Sequence, residues 1–600
     1  MGESKDVDTD RLMSELGQTG RYHLRVYVLV ALAAVQVGLL HTTYIFLAGD
    51  VPYRSKEMES GVGLDVDALM QELGQFKKFH LLNYVLLSLV PFALNHYGVN
   101  YVFLAGDVQY RCLVPECEAA NTTEYSPIWL ENALPPNGRE RRCSVKVPME
   151  DGFCQPDHFS DKLRPCEQWL YETHDTIVAE FNLACQDWKR TLVGTIHNIG
   201  MLVSLPIFGF ISDRWGRKRS LILSSTLLAI IGTMKAFSIS YEMYVIVEFL
   251  ETVAGASAFP AAYVLTIELL GQNKRVLTTA FLGIMLALGG ISFAMFAKTF
   301  PYWRTFILVV YPPSLLFLSY IYFLPESIRW LLSKGRREEA FKIVTKAAKM
   351  NNVTLSDETI RQFTVEEKQT KGEKTETNEE ETQGLWLQVI KSPIIMTRLA
   401  ICSWWWITCT FVFYGLAINS VSLAGDKYTN YMLVSSVEVI AVVTNALVLD
   451  RIGRKKTMMI AYLVCGVSCG SIAFVPKNLP WLATVLYLVG KIAITQAFSG
   501  IYMYTSELFP THARQSLLGF CSMIGRIGSI VSPQMPLLAI YIEWLPSVLF
   551  GATAIIAGGL MMTTPETLNT KLPDTIKEAE FIASKKVKPK STDMQLTSKL

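Results

Sequence analysis

Runs of about 20 apolar residues recur along most of this chain, each long enough to cross a hydrocarbon core as a helix. They fall near 191–212, 221–240, 243–263, 277–297, 305–324, 397–418, 429–449, 457–475, 481–503, 515–537 and 545–563. That pattern excludes an ordinary soluble domain. Composition agrees: 50% of the 600 residues are hydrophobic and only 18% are charged. The formal net charge of +2 leaves no basic or acidic excess that would recruit nucleic acid. No cleavable signal peptide is visible, so the first span is expected to direct its own insertion.

The start of the chain is written twice. "YIFLAGDVPYR" (44–54) returns as "YVFLAGDVQYR" (101–111), and "LMSELGQ" (12–18) as "LMQELGQ" (69–75). With Asp8 set on Asp65 the copies align without a gap to Arg54 on Arg111, and about half the positions are identical. The middles differ: "AAVQVGLLHTT" (33–43) stands against "VPFALNHYGVN" (90–100). Counting one copy, the chain has about twelve spans.

Eleven cysteines divide into two sets. Cys112, Cys117, Cys143, Cys154, Cys166 and Cys185 lie in the polar loop 107–190, and the other five lie in spans. An even set in a long polar loop points to disulfides on an oxidising face, with connectivity left open. The spacings are too irregular for a zinc site, and only His158 and His174 lie nearby. The sequon at Asn121 expects the same outer face.

A larger repeat covers the rest. "GFISDRWGRKR" (209–219) returns as "LVLDRIGRKK" (447–456), "IELLGQNKR" (267–275) as "SELFPTHAR" (506–514), and "LPESIR" (324–329) as "TPETLN" (564–569). Asp213, Glu268 and Pro325 precede Asp450, Glu507 and Pro565 by 237, 239 and 240 residues. Two six-helix halves in parallel orientation account for this, a transporter plan with the substrate site between the halves. The repeated loops are rich in Arg and Lys, hence cytoplasmic, which places the cysteine loop outside. The segment 325–396 is then a cytoplasmic linker, with the mixed-charge stretch 365–384 flexible, and 564–600 is a cytoplasmic tail. The sequon at Asn352 falls on the wrong side and should stay unmodified.

These motifs resemble the major facilitator superfamily. "GFISDRWGRKR" is similar to its signature. "LPESIRWLLSKGR" (324–336), "YTSELFPTHAR" (504–514) and "PETLNTKLPDTIKEAE" (565–580) resemble the organic cation, anion and carnitine transporters of solute carrier family 22. The resemblance spans about 65–600. It implies an all-α membrane protein of two six-helix bundles, 65–324 and 397–563, with a disulfide-rich outer loop. It also implies a multi-pass plasma-membrane carrier that works by alternating access and needs no cofactor. Its partners would be a small organic ion, the lipid bilayer and a coupling Na+ or H+. Charged loop residues would latch the cytoplasmic gate: Asp213, Arg217, Lys218, Glu268 and Arg275 in one half, Asp450, Arg454, Glu507 and Arg514 in the other. Those charges also set topology. The second copy (65–111) runs into Cys112 as the family's first helix does. Residues 1–64 then leave three readings: an N-terminus outside, a first copy that does not cross, or two variants of one segment read into one chain. The last is the expected one.

Charges inside spans cost several kcal/mol unless paired or hydrated, so each is a candidate. Arg526 lies in the penultimate span between Gly525 and Gly528, and its fork fits a carboxylate. In the resembling family an acid here marks cation carriers and an Arg marks anion and carnitine carriers. A structural ion pair with Glu438, Glu248 or Glu251 is the competing reading. Glu438 matches a family acid and could meet an ammonium group, although Ile440 stands where the family often has Pro. Lys491 is a further buried cation, able to bind an anion or to snorkel. Helix 4 departs from the family, with Glu248 in place of Arg and Thr252 in place of Gly. Its acids, Glu248 and Glu251, could bind a cationic group, H+ or Na+, or pair with Lys235. Trp406 and Phe413 lie two turns apart on one face and match family cavity aromatics, suited to ammonium groups. Tyr263 and Tyr502 are weaker candidates, and Trp404 and Trp405 read as packing or lipid-facing rings.

The expected function is carriage of organic anions or zwitterions such as carnitine-like or amino-acid-derived amines. An organic cation carrier and a non-transporting receptor of the same fold are the alternatives. No G-x-x-x-x-G-K-[ST] loop supports an ATP-driven pump, and no H-E-x-x-H or G-x-S-x-G motif supports an enzyme.

Overall fold

The computed structural model describes residues 69–582 except 71, 75–76, 119–123, 136–139, 150–158, 271–274, 365–388, 390, 511–512, 569, 571–572 and 574–575. The first copy, Asn121, Cys154, the stretch 365–384 and the end of the tail lie outside the described residues.

Among the described residues, twelve long helices form two sets of six. The first half holds α1 (Lys78–Gly98), α2 (Asp187–Trp215), α3 (Arg217–Lys235), α4 (Tyr241–Leu269), α5 (Arg275–Thr299) and α6 (Trp303–Phe323). The second holds α7 (Pro393–Asn419), α8 (Lys427–Ile452), α9 (Arg454–Ile472), α10 (Pro480–Leu508), α11 (Ser516–Tyr541) and α12 (Leu545–Met561). Eight are long and apolar enough to cross a membrane by length and composition alone. Of the rest, α1, α3 and α9 begin with basic residues, and α12 is shorter.

Within the halves α2 packs on α4, α1 on α5, α7 on α11 and α9 on α12; between them α5 lies against α8 and α2 against α11. The α5–α8 contact follows one face of α8. Tyr431 meets Phe293 at 5.4 Å between rings, a Cβ on Gly290 would reach Ser435 Oγ at 2.7 Å, and one on Gly283 would reach Val442 at 3.2 Å. Glu438 falls on that same face, between Ser435 and Val442.

The outer loop is not helical alone. Strands β1 (Tyr110–Cys112) and β4 (Trp169–Tyr171) pair antiparallel, as do β2 (Ser144–Pro148) and β3 (Phe159–Pro165). Disulfides join Cys112 to Cys166 and Cys143 to Cys185, and Cys117 is also disulfide-bonded. On the opposite face, residues counted as linker fold into helices Ile328–Ser333, Arg337–Asn351 and Asp357–Thr364. Leu69, Met70 and Leu73 bury against them, and the Phe79 amide donates to Asn351 Oδ1 at 2.8 Å. Residues 69–79 are therefore tied to the cytoplasmic cap, and α1 runs from there into β1.

Candidate functional site

Arg526 sits ten residues into α11, about 15 Å along a helix rising 1.5 Å per residue and so near the membrane midplane. Gly525 and Gly528 face α7; a Cβ on Gly528 would stand 2.3 Å from Ile407 O. Arg526 points elsewhere. Ile530, one turn further on the same helix, accepts from Thr195 Oγ1 of α2 at 3.4 Å, so Arg526 faces the seam between the halves. It is partly exposed and makes no ion pair with a described residue. Tyr502 of α10 and Tyr263 of α4 lie within electrostatic reach of one another, and Tyr502 of Arg526 and Tyr414.

The other midplane charges are occupied. Lys491 Nζ meets Glu438 Oε1 at 2.8 Å, donates to Phe413 O at 3.1 Å and stands 3.5 Å over the Phe413 ring. Lys491 is fully buried, whereas the Glu438 side chain keeps 12% exposure, so the acid is the end of this pair that a ligand can reach. Phe413 stacks on Phe498 at 5.1 Å, and Phe498 leads to Tyr502 at 6.1 Å. Trp406 is 1% exposed, gives Nε1 to Thr505 and meets Tyr502 edge-on at 4.5 Å. It therefore backs the Tyr502 ring. Trp405 is buried with Nε1 on Ala557 O. Tyr263 is half-buried, 3.5 Å from Thr279.

A second charged group fills the outer half of the first bundle. Lys235 Nζ lies 2.7 Å from Glu248 Oε2, also contacts Glu251, and is 3.0 Å from Tyr311 Oη. Tyr311 donates to Glu251 Oε1 at 2.5 Å, and His197 Nδ1 lies 2.7 Å from Glu248 Oε1. Asn100 Nδ2 donates to Tyr311 at 2.6 Å. Lys235, Glu248 and Glu251 are fully buried, and no described atom accepts from or donates to the buried His197 Nε2. The Tyr101 ring, 5.3 Å from His197, stands between this network and the seam. His197 and Tyr311 escaped the sequence reading. A histidine inside an apolar span was the available signal for the first; nothing in sequence marks the second.

The ion pairs described in the repeated basic loops lie within each half. Arg217 lies 3.1 Å from Asp213 and 3.4 Å from Glu268, and Arg454 lies 3.5 Å from Glu507. Lys218 gives its amide to Glu326 and its Nζ to Ile321 O at 2.8 Å. Arg514 reaches Phe509 O at 3.4 Å. The side chains of Arg275 and Asp450 lie outside the described ones. Glu326 and Glu566, in the quoted repeats but given no role there, accept from the amides of Lys218 and Arg454 at 3.0 Å each.

The sequence model of the Major Facilitator Superfamily matches residues 180–533. An organic cation transporter protein of Drosophila melanogaster is 31% identical over 86% of this chain and 95% of its own length. Organic cation/carnitine transporter 2 of Homo sapiens is 33% identical over 85% and 93%. The chain belongs to the major facilitator superfamily and, within it, to solute carrier family 22. A partially occluded, inward-open structure of the xylose transporter XylE from E. coli superposes with a TM-score of 0.53 at 14% identity, over 81% of this chain and 99% of that one, which shows the shared fold. As a solute carrier 22 member the chain is a multi-pass membrane transporter of small organic solutes, not an enzyme. Arg526 and the Lys235 network are thus charged groups within the spans of a carrier, each a functional candidate by default.

Proposed function

We propose that this carrier moves small organic anions or zwitterions across the plasma membrane, with Arg526 binding the carboxylate. The observation that carries this reading is the charge partition. Glu438 is taken by Lys491, and Glu248 and Glu251 by Lys235 and His197, so the midplane guanidinium has no described acid to neutralise it. A substrate carboxylate would supply the missing charge through a two-point contact. Phe413, Phe498, Tyr502 and the reachable oxygen of Glu438 suit an ammonium group on the same molecule. That second set also supports the runner-up, an organic cation carrier, as does the similarity to the organic cation transporter protein of Drosophila melanogaster.

The coupling ion in this reading is H+ rather than Na+. Lys235 Nζ already fills the space between the two carboxylates. Two acids against one lysine leave one negative charge in a dry bundle, which a proton taken up by the network cancels. Among the described residues, Tyr97, Tyr101, Tyr244 and Tyr311 are the other titratable groups against it.

The test is uptake by cells expressing the full chain, given a labelled dicarboxylate, a carnitine-like zwitterion and a quaternary cation. Arg526→Ala should cut entry of the first two by about a hundredfold, the loss of one charge-assisted pair of about 2–3 kcal/mol. Entry of the cation alone, unaffected by the substitution, sinks the anion reading. Replacing external Na+ with a large organic cation should leave uptake unchanged, while an inward proton gradient should raise it.

A further inference from the structure

The identity between the two N-terminal copies collapses at one place. None of the eleven positions 90–100 matches its counterpart in 33–43, although the flanks match closely on both sides. The matching flanks are the attachments of α1. Leu69, Met70, Glu72 and Leu73 hold the cytoplasmic cap, where Glu72 accepts from Thr359 at 2.6 Å, and they recur as Leu12, Met13, Glu15 and Leu16. Tyr101, beside His197, recurs as Tyr44.

The unmatched block contains the polar contacts made beside Tyr311 and along the outer half of α5; Tyr84 Oη to Thr278 O at 3.3 Å and Tyr320 to Leu86 O lie in the matching flank. Asn95 donates to Leu286 O at 2.6 Å, and His96 Nε2 lies 3.0 Å from Ser292 Oγ, both on α5. Tyr97 contacts Ser314, and its ring lies 4.7 Å from Tyr311. Asn100 donates to Tyr311 Oη, the hydroxyl that itself binds Glu251 and Lys235. The first copy writes Gly38, Leu39, Leu40 and Thr43 at these four positions. It adds one imidazole, His41, at the place of Gly98, where an added Cβ would meet nothing within 4 Å.

We propose that α1 is an interchangeable element whose face toward Tyr311 sets how the carrier responds to protons, and that residues 8–54 are a second, working version of it. The proposal rests on the carrier reading and on the network as the proton-linked site. The network's charged and titratable members are His197 from α2, Lys235 from α3, Glu248, Glu251 and Tyr244 from α4, and Tyr311 from α6; α1 adds Tyr97, Tyr101 and, against α5, His96. The second copy holds the Tyr311 hydroxyl through Asn100 and packs Tyr97 against its ring. The first copy offers no amide and no phenol there, so Tyr311 is freer to leave Glu251, and Glu251 to take a proton.

The deciding experiment rewrites positions 65–111 of the full chain with the residues of 8–54. Surface abundance and the external-pH profile of uptake are measured for whichever probe the unaltered chain carries: dicarboxylate, zwitterion or cation. A second variant, Tyr97→Phe with Asn100→Thr, removes the Tyr311 and Ser314 hydrogen bonds while keeping the ring. The expected result is normal surface abundance with a profile moved toward alkaline pH by about one unit, a tenfold change in proton concentration, and a smaller move of the same sign for the second variant. Profiles identical to the parent's, whether sloped or flat, overturn the proposal. So does a rewritten chain that never reaches the surface, because an interchangeable element must work in place. Arg526 lies outside the exchanged segment, so failure of the anion reading shows as uptake indifferent to Arg526→Ala and leaves this comparison legible.

Discussion

At the scale of single residues, the decisive quantity is which buried charge has a partner. Lys235 is shared by two carboxylates, so its removal leaves both without their cation in a dry bundle. Lys235→Met should destabilise the fold by about 3–5 kcal/mol, the typical cost of breaking a buried pair from one side. Adding Glu251→Leu should recover much of that loss, read as surface abundance and thermal stability in detergent; no recovery in the double variant would mean that the pairs do not act as one unit. The charges themselves were legible in the sequence, because Glu248, Glu251, Glu438, Lys491 and Arg526 interrupt apolar runs. Lys235 was legible as a partner. What the sequence could not show is that Arg526 is left over, since that follows only when every acid has been matched across helices. His197 meets Glu248 from 51 residues away and Tyr311 meets Glu251 from 60, and no periodicity along the chain signals either contact.

At the scale of elements, the helices came from hydropathy, and their closest approaches came from glycine. Gly528 lets α11 lie on α7, and Arg526 projects from the same turn. Gly528→Ala should push the helices apart at a cost of about 1–3 kcal/mol. It should raise KM for an anionic substrate more than it lowers surface abundance; equal losses would mark a purely structural effect. The paired cytoplasmic turns depend on glycine for a second reason. Gly216 and Gly453 have φ of 105° and 107°, and a Cβ there would stand 2.3 Å from Glu326 Oε2 and 2.5 Å from Glu566 Oε2. The sequence repeat predicted that the two turns would correspond. It did not reveal that carboxylates 108 and 112 residues downstream close them by accepting backbone amides. The outer loop was legible as a disulfide region, but its two small sheets were not, because strands of three to seven residues carry too little alternation. Its attachment to α6 runs through Glu180, which accepts from Trp303 Nε1 at 2.6 Å and Arg304 Nε at 2.9 Å. Partial burial would raise the Glu180 carboxyl, but those donors outweigh it and hold it below its ordinary value. A carboxyl lowered in the folded state stabilises fully above its unfolded pKa, and that contribution is lost as pH falls through the folded one. Acidifying the outside should therefore loosen the loop from α6, seen as faster proteolysis of the loop below the ordinary carboxylate range. Glu180→Gln should show the faster rate already at neutral pH and little further change on acidification.

At the scale of the whole molecule, a set of polar and aromatic bridges between the halves lies at the outer-loop end, above the apolar α5–α8 contact. Gln534, in the tighter turn Ser532–Gln534 within α11, donates Nε2 to Thr195 Oγ1 at 2.6 Å and accepts from Thr191 Oγ1 at 3.1 Å, both on α2. Lys298 at the end of α5 meets Asp426 before α8 at 3.1 Å, and Phe103 stacks on Tyr428 at 5.1 Å. The cytoplasmic ion pairs Arg217–Glu268 and Arg454–Glu507 each stay inside one half and so do not tie the halves together. These polar bridges close the seam on the outer-loop side of Arg526. Alternating access then requires the outer bridges to break while each half stays rigid. Two hydrogen bonds at about 1 kcal/mol each, plus an exposed pair worth less, hold the closure with about 2 kcal/mol, or roughly thirtyfold in population. Gln534→Ala combined with Lys298→Ala should shift the molecule outward by that factor. An Ile530→Cys reporter on the seam should then react faster with an impermeant thiol reagent added outside, with the free cysteines among the described residues all buried. Substrate present only outside should accelerate the labelling less in this background than in the parent, because the outward state it selects is already populated. Equal labelling in both backgrounds would show that the outer closure is held by the apolar packing around Phe103, Phe293 and Tyr431 instead, and the next substitution would belong there.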